Sequence, residues 1–174
     1  MRADGVEFSP EARAQPVMRS TLAGAFLLAG AAHGQQCLVV GVADGDTLTA
    51  RCGAPAGYQQ VKVRLNAIDA PEKAQAFGQR SKQHLSDLCY QVKATITPKT
   101  IDKYRRTVAD VECRGKDAGR EQVAAGLAWY YVKYGKGYEG LARVEADARA
   151  AGRGLWADRE PVAPWEWRHH GRAH

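Results

Sequence analysis

Hydrophobic and polar positions change period several times along this chain, and the changes mark its elements. Cys37 to Val42 is a short apolar run and Thr47 to Cys52 is another, with Asp44-Gly45, a strong hairpin dipeptide, between them. After a loop at 53–57, Gln59 to Asn66 alternates, with Val61, Val63 and Leu65 on one face and Lys62, Arg64 and Asn66 on the other. The alternation stops at Asp69-Ala70-Pro71-Glu72, because proline donates no hydrogen bond to a sheet and holds the residue before it extended. The period then becomes helical, at Phe77, Ser81, His84/Leu85 and Leu88. Val92 to Ile96 and Thr107 to Val111 alternate as two further strands around a turn near 102. Val123, Ala124 and Leu127 predict a second helix. Leu141, Val144, Ala148, Ala151 and Leu155 predict a third, closing at Gly152 and Gly154.

Five short strands, with one helix between the third and fourth and more helices after the fifth, follow the order of a five-stranded OB-type Greek-key barrel. The expected class is α+β, rich in barrel, with about three helices. The barrel domain spans 35–160, and 161–174, which contains Pro161 and Pro164, reads as a loose basic tail.

Residues 1–34 read differently. Met18-Arg19-Ser20 precedes the apolar run Leu22 to Ala29, and small residues follow to Gly34, which is the order of a signal peptide. The run is shorter than the roughly 20 apolar residues that a spanning helix needs. The acidic stretch before Met18 makes Met18 the expected true start, with cleavage near Gly34 or Gln35. A buried N-terminal helix is the alternative. The expectation is an exported protein, periplasmic or secreted, with no stable membrane association once the leader is gone.

The four cysteines, at 37, 52, 89 and 113, all follow that leader and show no metal-like C-x-x-C spacing. Cys37 and Cys52 are symmetric about Asp44-Gly45, and Cys89 and Cys113 about Ile101. Symmetry about a hairpin predicts the pairs Cys37–Cys52 and Cys89–Cys113, in an oxidising compartment; buried thiols are the alternative. The 174 residues carry a formal net charge of +6. Removing residues 1–34 leaves that balance unchanged, so the domain itself favours polyanions such as nucleic acid or an anionic surface.

An arginine, an aspartate and a glutamate at the end of one strand, on a corner stiffened by Pro71, point to phosphate chemistry. Three motifs line up: Asp44-Gly45-Asp46-Thr47, then Arg64 with Asp69-Ala70-Pro71-Glu72, then Asp102-Lys103-Tyr104-Arg105-Arg106. From about Val39 to Trp156 the chain resembles the staphylococcal (micrococcal) nuclease family, including Gly126-Leu127-Ala128 and Gly154-Leu155-Trp156. The resemblance implies calcium-dependent hydrolysis of DNA and RNA phosphodiesters; a monomer is the expected state. It places Asp46, Asp69 and the Ala70 carbonyl on Ca2+, Glu72 as general base, and Arg64 and Arg106 on the phosphate. By the same pattern Tyr104, Lys133 and Tyr134 face nucleic acid, the tyrosines stacking on bases. The family usually has glycine where Arg105 stands; a left-handed backbone there would cost an arginine about 1 kcal/mol or more.

Blander readings stand beside these. Arg64 and Asp69 would form a surface salt bridge and Glu72 would cap the next helix; Trp129 is better explained by core packing. His169, His170 and His174 would be solvated or would bind a transition metal. Two other functions compete with the nuclease: a non-catalytic nucleic-acid-binding OB module, and a basic structural protein.

Overall fold

The computed structural model describes residues 34–170. The leader, its start at Met18 and its cleavage within 1–33 lie outside the described residues, as does His174. Strand β1 (Gln35–Val42) turns at Asp44–Asp46 into β2 (Thr47–Cys52), which pairs antiparallel with it from Cys37↔Cys52 to Val42↔Leu48. Strand β3 (Gln59–Leu65) continues antiparallel beyond β2, setting Arg64 opposite Thr47. The short β4 (Ile68–Asp69) follows, then helix α1 (Gly78–Cys89), β5 (Lys93–Ile101) and β6 (Thr107–Cys113). Strand β5 pairs with β1 and β6, and β6 returns to lie parallel to β3 through Val63↔Thr107, Arg64↔Val108 and Leu65↔Ala109. That last pairing closes a five-stranded barrel in the order β3-β2-β1-β5-β6, so the expected OB-type fold is the observed one. Closure leaves the five barrel strands without a free edge.

Alternation decides what fills it. Val39, Leu48, Ala50, Val63, Leu65, Ile96, Ala109 and Val111 are buried and form one core with Leu85 of α1 and Val123. Beyond the barrel come β7 (Lys116–Asp117), α2 (Ala118–Ala124), β8 (Trp129–Tyr130), α3 (Gly140–Ala150) and α4 (Pro164–His170). Helix α2 starts five residues before Val123, because Asp117 caps it by accepting from the Arg120 N–H at 2.8 Å, and it ends at Ala124, so Leu127, expected within it, lies beyond. Strand β8 pairs with β4 through Ile68↔Tyr130 and Asp69↔Trp129, which pins the Asp69 corner from outside the barrel. Among the described residues no helix is long and apolar enough to cross a membrane.

Both cystine pairs form as expected, Cys37–Cys52 and Cys89–Cys113. The hairpin reasoning holds for the first pair, whose members face each other across β1 and β2. It fails for the second: Cys113 sits opposite Ala94 in the ladder, and Cys89 is the last residue of α1, so that bridge ties helix to strand. Closing a loop of 15 residues stabilises by about 3 kcal/mol through lost unfolded-state entropy.

The tail needs correction. Over 161–170 it is not loose: Ala163 and Pro164 are buried and residues from Pro164 on form α4, the fourth helix where about three were expected. Pro164 reads as a breaker but stands at the first helical position, where its missing N–H costs nothing. Trp165 then stacks on Tyr131, ring centroids 5.1 Å apart, and meets Trp129 edge-on at 5.6 Å.

Candidate active site

Two turns and one strand end build the site. At the β1–β2 turn, Asp44 accepts the Asp46 N–H at 3.1 Å. Gly45 is needed there for closeness: an added Cβ would overlap the Ser81 side chain and sit 2.8 Å from the Ala70 Cβ. The turn is therefore pressed onto α1 and onto the Asp69-Ala70 corner. Gln122, wholly buried, locks this contact. Its amide donates to the Gly45 carbonyl and to the Ser81 carbonyl (3.0 Å), and its oxygen meets His84 Nδ1. Ser81 Oγ in turn donates to the Leu127 carbonyl at 2.6 Å.

Asp46 bridges the two turns. Its Oδ2 accepts the Ala70 N–H at 2.9 Å and its Oδ1 accepts from Thr47 Oγ1 at 2.9 Å. Arg64 reaches over both carboxylates: Nη2 is 2.8 Å from Asp69 Oδ1 and 3.3 Å from Asp46 Oδ2. Its Nη1 donates to the Leu65 and Ile68 carbonyls, both at 2.8 Å, so the guanidinium is pinned to the corner it serves. Burial works against the Arg64 charge, but Asp46 and Asp69 outweigh it and hold the group firmly protonated. The Arg64–Asp69 pair is thus real but not a surface one, since the Asp69 side chain is 2% exposed.

Arg106 comes in from the β5–β6 hairpin. Its Nε donates to Asp102 Oδ2 at 2.8 Å, and its Nη1 lies 3.3 Å from Thr47 Oγ1, one residue from Asp46. Asp102 Oδ1 also accepts the N–H groups of Tyr104 and Arg106, both at 2.9 Å. The hairpin closes with Arg105 at φ 63°, so the left-handed position does exist and an arginine fills it. Tyr104 is 63% exposed, with the Arg106 guanidinium 5.5 Å from its ring centroid. Tyr134 is 62% exposed beside Lys133, whose Nζ lies 5.8 Å from its ring. Both tyrosines therefore present open faces next to cations. Trp129 is half-buried outside the barrel core, edge-on to Trp156 at 4.4 Å with the Arg149 guanidinium over both rings.

Glu72 does not cap α1. The helix begins six residues later, at Gly78 behind Phe77, which has no side-chain cap, and Glu72 Oε1 instead accepts from Arg168 Nη1 at 2.7 Å. Arg168 Nη2 also lies 2.6 Å from Asp69 Oδ2. Sequence reasoning missed Arg168 because a tail without period offers no sign of where it docks. It missed Gln122 because a lone glutamine on a helix reads as solvated.

The donor chemistry fits a hard cation. Asp46 and Asp69 are buried carboxylates meeting at one guanidinium nitrogen, and Ala70, whose N–H Asp46 already holds, adds a backbone carbonyl at the same corner. Burial pushes the Asp69 carboxyl up, against the pull of Arg168, so its ionised form depends on the positive charge around it. Asp44 is pushed up to about 6, by burial first and by Asp46 next. Such crowding of negative charge is relieved by a cation. Among the described residues no three or more His, Cys, Asp or Glu gather to hold a metal, so any ion here rests on two carboxylates and carbonyl oxygen. His169 is exposed and belongs to no such cluster.

Comparison with known proteins agrees with this geometry. The staphylococcal nuclease homologue family matches residues 62–158, from the strand that carries Arg64 to a point short of α4. The chain is 46% identical over 132 residues to an uncharacterized endonuclease of Haemophilus influenzae, covering 76% of this chain and 72% of that protein. It is 36% identical over 140 residues to the micrococcal nuclease of Shigella flexneri, covering 75% and 78%. An uncharacterized endonuclease of Escherichia coli is 38% identical over 138 residues, covering 79% and 85%. With its closed barrel, its paired carboxylates and its two site arginines, the chain belongs to the staphylococcal nuclease family.

Proposed function

We propose that this nuclease is a calcium-dependent endonuclease that hydrolyses phosphodiester bonds of DNA and RNA at the Asp46–Arg64–Asp69–Glu72–Arg106 site. The observation that carries the reading is convergence. Three separate segments deliver Asp46, Asp69, Arg64 and Arg106 to one corner, linked through Thr47. Asp46, Asp69 and the Ala70 carbonyl would hold Ca2+, which supplies positive charge against the phosphate and a place for water.

Glu72 takes one proton of the attacking water as the water oxygen bonds to phosphorus; one ester P–O bond breaks and the departing sugar oxygen takes a proton from solvent. Arg64 and Arg106 bind the phosphate oxygens and stabilise the charge that grows on them, through forked hydrogen bonds that lysine would not reproduce. Tyr104 and Tyr134 stack bases on either side, with Lys133 beside the backbone. The protein acts as a monomer, and its two cystines fit export to the periplasm or the medium. The runner-up, a binding module without catalysis, is disfavoured by the intact set of Asp46, Arg64, Asp69, Glu72 and Arg106.

The test is cleavage of single-stranded DNA by the purified protein in calcium, and again in excess chelator. Cutting that needs calcium and is abolished in Asp69→Asn supports the reading. DNA binding without cutting in either condition defeats it and leaves the binding module.

A further inference from the structure

The segment that the sequence reads as loose brings Arg168 into the site. Arg168 is half-buried and spans the two groups the reaction needs most. Its Nη2 lies 2.6 Å from Asp69 Oδ2, and its Nη1 lies 3.4 Å from Asp69 Oδ1 and 2.7 Å from Glu72 Oε1. We propose that segment 161–170 is a built-in competitor of the metal: Arg168 closes Asp69 and Glu72 in the metal-free protein, and calcium binds only as that guanidinium withdraws. The inference rests on the reading that Asp69 holds calcium and Glu72 is the base.

Mutual exclusion follows from geometry and charge. A calcium ion sits about 2.3–2.6 Å from a carboxylate oxygen and draws on the same lone pairs that Arg168 now occupies. It would also stand against a fixed positive charge a few ångströms away. Arg64 and Arg168 both touch Asp69, yet only Arg64 is built in. Arg64 also serves the Leu65 and Ile68 carbonyls, so moving it strands backbone acceptors. Among the described residues Arg168 donates to Asp69 and Glu72 alone, so withdrawing it leaves only groups that the metal and its water would satisfy.

The rest of the segment explains why the guanidinium arrives there. Trp165 is stacked on Tyr131, with an interplanar angle of 10°, and meets Trp129. Gln75 donates to the Val162 carbonyl at 2.6 Å while its own oxygen accepts the Glu72 N–H at 3.1 Å. One glutamine therefore couples the segment to the backbone of the proposed base. An aromatic anchor holds the helix in place, and one long side chain reaches from it to both carboxylates.

The experiment is a calorimetric calcium titration of the chelator-stripped full chain, comparing wild type with Arg168→Gln and Arg168→Lys. Competition predicts about tenfold tighter binding by Arg168→Gln, the worth of about one charge-assisted hydrogen bond. Arg168→Lys falls between, because an ammonium cannot fork across both carboxylates. Equal affinity in wild type and Arg168→Gln overturns the competition while leaving the metal site standing. No calcium binding by any of the three overturns both. Thermal unfolding supplies the second readout: calcium should raise the midpoint of Arg168→Gln more than that of wild type. A midpoint lowered by the same amount with and without calcium marks a merely structural ion pair and overturns the proposal.

Discussion

Gln122→Leu is the substitution that asks most sharply how the Asp44–Asp46 turn is held. Leucine nearly matches the volume of glutamine, so the change removes hydrogen bonds and leaves packing largely intact. Gln122 is wholly buried and serves the Gly45 carbonyl, the Ser81 carbonyl and hydroxyl, and His84. His84 is only half-buried and can turn to water, and Ser81 Oγ keeps its bond to the Leu127 carbonyl. The Gly45 carbonyl, at a buried glycine, is the group left without a partner. An orphaned buried carbonyl costs about 1–3 kcal/mol, and the other lost bonds add about 1 kcal/mol. The expected loss is therefore about 3 kcal/mol in urea unfolding with both disulfides intact. A second effect follows from place: with its anchor gone the turn moves Asp46, so calcium affinity falls as well. A variant within 0.5 kcal/mol of wild type (a shift on the order of surface substitutions), with calcium affinity unchanged, would refute this account of the turn.

Two further outcomes bear on the same corner. Arg105→Gly removes a side chain from a left-handed backbone position, at φ 63°. The folded state gains about 1 kcal/mol and the freer unfolded chain returns part of it, so thermal unfolding should show a small net stabilisation with cleavage retained. Loss of cleavage would instead give Arg105 a share of the phosphate. In chelator, Asp44 makes stability depend on pH. Its folded value is raised from 3.8 to about 6 by burial and Asp46. The folded state thus holds that proton more tightly than the unfolded state, and its contribution is present in full below 3.8 and lost as pH rises through about 6. Asp44→Asn should flatten that part of the unfolding profile; an unchanged slope between pH 4 and 6 contradicts the assignment.

The barrel was legible because each strand alternates against one core and each turn has its own chemistry. Val61, Val63 and Leu65 declare their face, and Asp44-Gly45 and Asp102 declare their corners. The role of Gly45 was less legible. The sequence reads it as a turn glycine, whereas the fold uses it to let Ser81 and Ala70 approach, a requirement set by residues far along the chain. The same holds for Cys89–Cys113, right as a pair but joined from helix to strand. The tail was least legible: seven helical residues carry too little periodicity to announce themselves, and the partners of Trp165 and Arg168 lie some 30 to 100 residues away. Tertiary contact, not local propensity, makes α4.

The central claim is that Glu72 is the base at a corner whose other groups bind. It is tested most directly by Glu72→Gln, an isostere that keeps shape and loses the proton acceptor. Single-turnover cleavage of single-stranded DNA in saturating calcium should fall by about a hundredfold or more, the usual worth of a general base, while DNA binding changes little. Equal losses in rate and binding, or an unchanged rate, would contradict that role for Glu72.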